Sequence, residues 1–113
     1  MSTSLTVYVV TPDIDKIRRF YEGALGVEAG EQSGNWVPFR LGGATFALHA
    51  AANESPEELR HMNLGFAVDD IEAVVARFEA QGAEVLRGIA DETFGRMAML
   101  QDPDGRSFEV VQY

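Results

Sequence analysis

An internal repeat constrains the fold of this 113-residue chain more than any other feature. Asp13-Ile14-Asp15 returns as Asp70-Ile71-Glu72 after 57 positions, and residues 43–48 match residues 105–110 after 62 positions. Around these landmarks, each half is predicted to run as a strand, a helix and three strands. Because half of so short a chain buries too little surface to be stable alone, we expect the two halves to share one core.

Cap and turn residues place the elements of the first half. Asp13 is a candidate N-cap, and Gly26 ends the helix that follows it. Residues 28–35 are polar and contain glycine, so they are predicted to form a loop. Gly42-Gly43 then joins two strands as a hairpin. The strands predicted in this half lie at residues 5–10, 36–41 and 44–50.

The second half is predicted from similar signals. A capping box at residues 55–58 suggests one or two helical turns between the halves, and the Asp69-Asp70 pair caps the second helix, which ends at Gly82. Asp102 and Asp104 are interpreted as turn residues. The extra residues of this half fall between positions 86 and 94, where a loop would absorb them. The predicted strands are 63–68, 83–86, 94–101 and 106–113.

Composition excludes several classes of function. The chain lacks cysteine, which excludes disulfides, thiolate metal sites and cysteine nucleophiles. Its net charge of −9 would repel phosphate groups, so neither nucleic acid nor an anionic membrane is an expected partner. No apolar run approaches the roughly 20 residues of a membrane helix, and no secretory leader opens the sequence. A cytoplasmic protein is therefore expected.

Three longer segments carry a family resemblance. They are FYEGALG at residues 20–26, GFAVDDIEAVVARFEAQGAEV at 65–85 and QDPDGRSFEVV at 101–111. With the repeat, they resemble the vicinal oxygen chelate superfamily, which includes glyoxalase I, extradiol dioxygenases and bleomycin-resistance proteins. The resemblance implies an α+β fold in which two βαβββ modules form a cup of mostly antiparallel strands with the helices outside. A single domain would span residues 1–113, with module one at about 4–51, a connector at about 52–61 and module two at about 62–113.

The resemblance also implies four metal-ligand positions, on the first and last strand of each module. They fall on Thr6, Ala47, Asn63 and Glu109. Metal enzymes of the family carry His, Gln or Glu there, whereas alanine has no donor atom, and threonine and asparagine are weak ligands for transition metals. Because a single glutamate cannot hold a catalytic divalent ion, no metal cofactor is expected.

Two histidines leave an alternative open. His49 and His61 each lie two residues from an implied ligand position, so regular strands would place them on the same face. With Glu109 they would supply two imidazoles and a carboxylate to a divalent metal. Glu109 alone is also a candidate general base. In the simpler interpretation, both histidines are exposed polar residues near strand ends.

Strand alternation predicts which side chains line the cup. If Phe46 and Leu48 face the helices, their neighbours in the strand face the cup. Met97 and Met99 are candidates for adaptable pocket walls, although methionine in a strand is more often a core residue. Aromatic walls with one cation suit a flat or anionic organic molecule, while the acidic surface suits a cationic one. The candidate ligand-binding residues are Tyr8, Trp36, Arg40, Ala47, His49, Asn63, Phe94 and Glu109.

The sequence therefore favours a binding protein that resembles the bleomycin-resistance type and sequesters a drug or metabolite. The alternative is a lyase, isomerase or dioxygenase of the same superfamily that uses Glu109, with or without His49 and His61. In either case we expect a homodimer, because an open cup leaves apolar edge and face area that a second copy would bury.

Overall fold

A computed structural model describes residues 5–50 and 64–113 of the chain. The predicted helical turns at 55–58, and the candidate site residues His61 and Asn63, lie outside the described residues. In this part of the chain, seven strands and two helices form an α+β fold, as expected. In chain order they are β1 (Leu5–Thr11), α1 (Ile14–Leu25), β2 (Trp36–Leu41), β3 (Ala44–Ala50), β4 (Gly65–Ala67), α2 (Ile71–Ala80), β5 (Glu84–Glu92), β6 (Gly95–Gln101) and β7 (Ser107–Gln112).

The first module forms a three-stranded open sheet, called sheet one, with the strand order β1-β3-β2. β1 runs parallel to β3, and β2 pairs antiparallel with β3. Gly42, in the turn between β2 and β3, has a φ of 62°, a conformation that glycine adopts without steric cost. The predicted hairpin is confirmed.

Residues 28–35, between α1 and β2, form no regular strand. Residues 28–35 pair only locally with the sheet, through a bridge between Ser33 and Trp36 and a hydrogen bond from the Gly30 amide to the Pro38 carbonyl. The segment is polar and lacks the β-branched and aromatic side chains that fill a pleated surface. The predicted loop is confirmed, and two strands follow it within residues 5–50.

The second module forms a four-stranded open sheet, called sheet two, with the strand order β4-β7-β6-β5. β4 and β7 are parallel, and the other pairs are antiparallel. The loop predicted beyond residue 86 is wrong, because β5 continues through Glu84–Glu92. Its register against β6 shifts between Val85 and Arg87 and again between Arg87 and Ala90. These irregularities absorb the extra residues inside the strand.

Strand pairing reproduces the internal repeat. Tyr8 lies opposite Ala47 in the β1–β3 pair, and Gly65 lies opposite Glu109 in the β4–β7 pair. These two pairs are related by the shifts of 57 and 62 positions found between the halves of the sequence. Equivalent residues therefore occupy equivalent places in the two sheets.

Both helices begin at the predicted caps. The Asp13 carboxylate accepts a hydrogen bond from the Lys16 amide, and the Asp70 carboxylate accepts one from the Ala73 amide. Gly26 ends α1 with a φ of 67°. Among the described residues, neither helix is long and apolar enough to cross a membrane.

An aromatic core joins the two modules. The ring of Tyr21, on α1, lies 5.1 Å from that of Phe46 in sheet one. It lies 5.9 Å and 6.2 Å from the rings of Phe66 and Phe108 in sheet two. The Phe46 and Phe66 rings are 5.3 Å apart, and all four side chains are buried. The modules thus share one core, as the length of the chain indicated.

Each sheet has one face toward this core and an outer face turned away from it. In β3, Phe46 and Leu48 belong to the core, so Ala47 between them lies on the outer face, as strand alternation predicted. The register of the three strands then defines the whole surface. The outer face of sheet one consists of Thr6, Tyr8, Val10, Trp36, Pro38, Arg40, Thr45, Ala47 and His49.

The outer face of sheet two carries both methionines of β6. Ala98 and Leu100 lie in the core, so Met97 and Met99 point the other way and are only partly buried. The interpretation of these methionines as core residues is therefore wrong, because their alternating neighbours fill the core instead. Glu109 and Val111 of β7 lie opposite them on the same face.

Candidate functional site

Three ring side chains meet on the outer face of sheet one. The ring centroids of Tyr8 and Trp36 are 5.5 Å apart, and the His49 ring lies 6.2 Å from each of them. We call these three residues the aromatic cluster. Tyr8 is 50% exposed, and Trp36 and His49 are partly exposed, so a flat molecule can reach the rings. Three of the candidate ligand-binding residues are thus brought together.

Ala47 forms the floor beneath the aromatic cluster. It lies between Tyr8 on β1 and Pro38 on β2, and it is fully buried. β1 and β2 flank β3, so their backbones are about 10 Å apart. The rings of Tyr8 and Trp36 therefore meet only by leaning over β3, where the methyl group of Ala47 leaves room. Ala47 shapes the surface and does not itself present a contact to a ligand.

Arg40 lies on the same face, at its other end. Its Nη1 donates a hydrogen bond to Thr45 Oγ1 at 2.9 Å, which orients the guanidinium group across the strands. Thr45 in turn lies opposite Thr6 in the β1–β3 pair. The predicted cation is therefore held by Thr45, with Thr6 across the strands, in the row of residues next to that of Tyr8.

Glu109 lies in sheet two, apart from the aromatic cluster of sheet one. It faces Met99 across the β6–β7 pair and Gly65 across the β4–β7 pair. A cavity of about 30 Å³ beside it, with Leu64 and Ser107 in its walls, has room for about one water molecule. The carboxylate forms no hydrogen bond with another described side chain. The cavity that the described residues form beside Glu109 is therefore too small for an organic molecule.

Phe94 is separated from the other candidate residues. It is exposed in the turn between β5 and β6, where its ring lies 6.4 Å from that of Tyr113. Gly95 follows it, and the backbone there passes so close to Gln112 that a Cβ would lie 2.3 Å from the Gln112 carbonyl oxygen. The turn and the last strand are thus held together, and Phe94 belongs to that contact.

The residues at the implied metal positions do not fit a divalent ion. Ala47 has no donor atom, and Thr6 offers only a hydroxyl group, which is a weak ligand for transition metals. Within residues 5–50 and 64–113, no three His, Asp or Glu side chains come together in a group suited to a metal. His61 and Asn63 lie outside this part of the chain, so the absence of a metal cofactor stays a prediction.

A buried polar network, formed by Tyr21, Asp102 and Arg106, was not expected from the sequence. Tyr21 Oη donates a hydrogen bond to Asp102 Oδ2 at 2.8 Å. Arg106 Nη1 forms an ion pair with the same oxygen, and Arg106 Nη2 donates to the Val10 carbonyl of β1. The side chains of Asp102 and Arg106 are 0% and 2% exposed. Asp102 is therefore a turn residue that also ties module two to module one.

Burial also affects the protonation of Tyr21, which donates the hydrogen bond to Asp102 in this network. Burial raises the pKa of Tyr21 well above its usual value, and the negative charge of the nearby Asp102 carboxylate is the next largest cause. The phenol therefore stays protonated and continues to donate its hydrogen bond. The sequence signal that could have indicated the network is the Asp102–Arg106 pair of opposite charges across a four-residue turn.

An apolar groove of about 510 Å³ separates the edge strands β1 and β4. One wall comes from sheet one and the end of α1, and the other from the segment that contains β4. Leu5, Val7, Leu41, Phe46, Leu64, Phe66 and Val68 are among the lining residues. Leu5 is largely exposed, so apolar surface at this groove remains accessible in the single chain.

Comparison with known proteins assigns the family. The model of the Glyoxalase/Bleomycin resistance protein/Dioxygenase superfamily matches residues 4–110. Putative glyoxylase CFP32 from Mycobacterium tuberculosis (strain CDC 1551 / Oshkosh) is 42% identical over 53 residues, which are 46% of this chain and 20% of the relative. The match thus spans about a fifth of the length of this curated relative.

Solved structures share the fold. A glyoxalase/bleomycin resistance protein/dioxygenase family enzyme from Burkholderia phytofirmans PsJN superposes with a TM-score of 0.79 at 22% identity, covering 95% of both chains. TnmS3, an antibiotic binding protein from Streptomyces sp. CB03234, gives a TM-score of 0.75 at 25% identity, covering 99% of this chain and 96% of that chain. The chain belongs to the glyoxalase/bleomycin resistance protein/dioxygenase superfamily.

Proposed function

We propose that this protein binds a flat aromatic organic molecule on the outer face of sheet one and sequesters it, as a drug- or metabolite-binding member of its superfamily. The observation that carries the proposal is the accessible aromatic cluster of Tyr8, Trp36 and His49. Stacked or edge-on aromatic pairs gain about 0.5–1.5 kcal/mol beyond the area that they bury. A ligand with fused rings would gain this term from more than one member of the cluster.

Two further observations favour binding over catalysis. Ala47 removes a donor atom from one implied metal position, so the metal chemistry of the superfamily has no support among the described residues. TnmS3, which shares this fold, is an antibiotic binding protein. The lyase, isomerase or dioxygenase alternative has less support, because no group of three His, Asp or Glu side chains suited to a metal forms among the described residues. An antibiotic-resistance role and a cytoplasmic location stay predictions.

The homodimer also remains a prediction, and the apolar groove between β1 and β4 supports it. Both strands are sheet edges in the described chain, and edge strands next to accessible apolar surface favour association. Sedimentation equilibrium across working concentrations tests this directly. A mass equal to one 12.4 kDa chain throughout would contradict the dimer.

Trp36 makes the binding proposal testable without a label, because it is the single tryptophan of the chain. Its fluorescence should change when a ligand stacks on the cluster. The titration would use a panel of aromatic antibiotics and cationic glycopeptides, with calorimetry as an independent measure of affinity. Tyr8→Ala should weaken binding by about tenfold, the upper end of one aromatic contact.

Phe94→Ala is the matched control, since it removes another exposed aromatic ring in the turn between β5 and β6. Its affinity should equal that of the wild type. Equal losses of affinity in Tyr8→Ala and Phe94→Ala would contradict a binding site on the outer face of sheet one. No binding by any panel member at high micromolar concentration would count against the function itself.

A further inference from the structure

The outer face of sheet one carries no acidic side chain, although the chain has 18 acidic and 9 basic residues. Arg40 is its only arginine or lysine. No carboxylate of the described residues lies within 4.0 Å of the Arg40 guanidinium, including those of Glu28 and Glu31 in the loop beside β2. The arginines of sheet two differ: Arg87 lies 3.2 Å from a carboxylate oxygen and Arg96 lies 2.7 Å from one.

The guanidinium of Arg40 is held in place and remains largely free to donate. One of its nitrogens binds Thr45 Oγ1, and an arginine has five N–H donors in a planar fork. Because Thr45 accepts this bond, its own hydroxyl hydrogen is free to donate, and Thr6 lies next to it across the strands. Several donors and no acceptor carboxylate therefore converge at this end of the face.

We propose that the molecule bound here carries an anionic group, a carboxylate or an equivalent oxyanion, which Arg40 holds while the aromatic cluster stacks on the ring system. This rests on the proposed function and specifies the class of ligand. Along the strands, the row Thr6–Thr45–Arg40 lies two residues, about 7 Å, from the row that contains Tyr8, and four residues, about 13 Å, from the row that contains Trp36 and His49. A carboxylate attached directly to a fused ring system that stacks on Tyr8 would extend toward Arg40.

Local and global charge favour different ligands. The net charge of −9 would attract a cation from a distance, and aromatic faces also attract cations. Exposed charges farther away than about 8–10 Å are screened at physiological salt, however, so the contact with Arg40 decides which ligand is bound. A cationic ligand on this face would lie beside Arg40 and be repelled by it.

Three probes with one ring system separate these outcomes: naphthalene-2-carboxylate, naphthalene-2-carboxamide and naphthalen-2-ylmethylammonium. The single indole N–H signal of Trp36 in a ¹⁵N-labelled sample gives the dissociation constant of each. In the wild type, the carboxylate should bind about fivefold more tightly than the amide, because an exposed ion pair with Arg40 contributes up to about 1 kcal/mol. The ammonium probe should bind most weakly.

Arg40→Gln should bring the ratio of carboxylate to amide affinity to about one, and Arg40→Lys should keep part of it because the charge remains. Arg19→Gln is the matched control, since Arg19 is exposed on α1 and its loss changes the net charge equally. The ratio should be unchanged in that variant. Circular dichroism confirms that each variant is folded.

Each result distinguishes the inference from the function on which it rests. If carboxylate and amide bind equally and Tyr8→Ala weakens both, aromatic binding stands and the anionic ligand is wrong. Tightest binding of the ammonium probe, or a carboxylate preference that survives in Arg40→Gln, also overturns the inference. If no probe moves the indole signal at several millimolar, the proposed aromatic binding fails, and the anionic ligand fails with it.

Discussion

Replacing Asp102 by asparagine should destabilise the protein strongly while barely changing its shape. The side chain is 0% exposed, and its carboxylate accepts hydrogen bonds from Tyr21 Oη and from the amides of Asp104 and Arg106, besides its ion pair with Arg106. The amide would remove the nearer counter-charge of the buried Arg106 guanidinium and leave only the Asp104 carboxylate, 3.7 Å away. Removal of one partner from a buried ion pair costs about 3–5 kcal/mol. For a domain near 100 residues, the midpoint of thermal unfolding should fall by about 15 °C or more.

Further variants separate the contribution of the Tyr21 hydrogen bond from that of the ion pair. Tyr21→Phe keeps the ring in the core and removes one hydrogen bond to a charged acceptor, which is worth about 1.5–3 kcal/mol. In the Asp102→Asn background the same change should cost clearly less, because the acceptor is then neutral. Asp91→Asn is the matched control, since Asp91 is 92% exposed and its nitrogen–oxygen distance to Arg96 is 3.7 Å. It should leave stability unchanged.

Urea unfolding followed by Trp36 fluorescence and by far-UV circular dichroism measures these free energies. The two signals should give the same midpoint, because both modules share one core. A cost below about 1 kcal/mol for Asp102→Asn, or equal effects of Asp102→Asn and Asp91→Asn, would refute the account of a buried, structurally required ion pair.

Three other outcomes follow from single positions. Burial raises the pKa of Asp104, so the folded state holds its proton more tightly than the unfolded chain does, and ionisation costs stability above the folded pKa. Asp104→Asn should therefore be more stable than the wild type near neutral pH. This difference should disappear below pH 3.8, the ordinary pKa of an aspartate, where the carboxyl group is protonated in both states. A difference in stability that does not depend on pH in urea titrations would contradict this. Gly95→Ala should cost about 2 kcal/mol or more in the same assay, because φ is 145° and the new Cβ would meet the Gln112 carbonyl; an unchanged midpoint counts against this contact. Ala47→Glu should displace the rings above it, red-shift the Trp36 emission and abolish aromatic binding, whereas Ala47→Gly should preserve the emission maximum.

The sequence predicts what depends on local pattern and on the repeat. Helix caps at Asp13 and Asp70 and the turn at Gly42 follow from residue chemistry. The shared face of Tyr8 and Trp36 follows from strand alternation. Each of these features is determined within a few residues or by a fixed offset between halves.

Features that depend on contacts distant in sequence were missed or wrongly predicted. Residue type favours the core for Met97 and Met99, whereas alternation with the buried Ala98 and Leu100 places them on the outer face. The loop expected after residue 86 proved to be an irregular strand, because its partner β6 extends alongside it. The role of Asp102 depends on Tyr21 in the other module, and the nearby Asp102–Arg106 pair of opposite charges does not by itself indicate that contact.

The buried network also has a consequence for the order in which the protein folds. Its hydrogen bonds join residues 81 and 96 positions apart, Tyr21 with Asp102 and Val10 with Arg106. During synthesis, the Val10 carbonyl and the Tyr21 hydroxyl must wait for most of the chain to leave the ribosome. Until then, α1 and sheet one expose the apolar surface that sheet two later covers, so this interval is when the nascent chain most needs protection from aggregation.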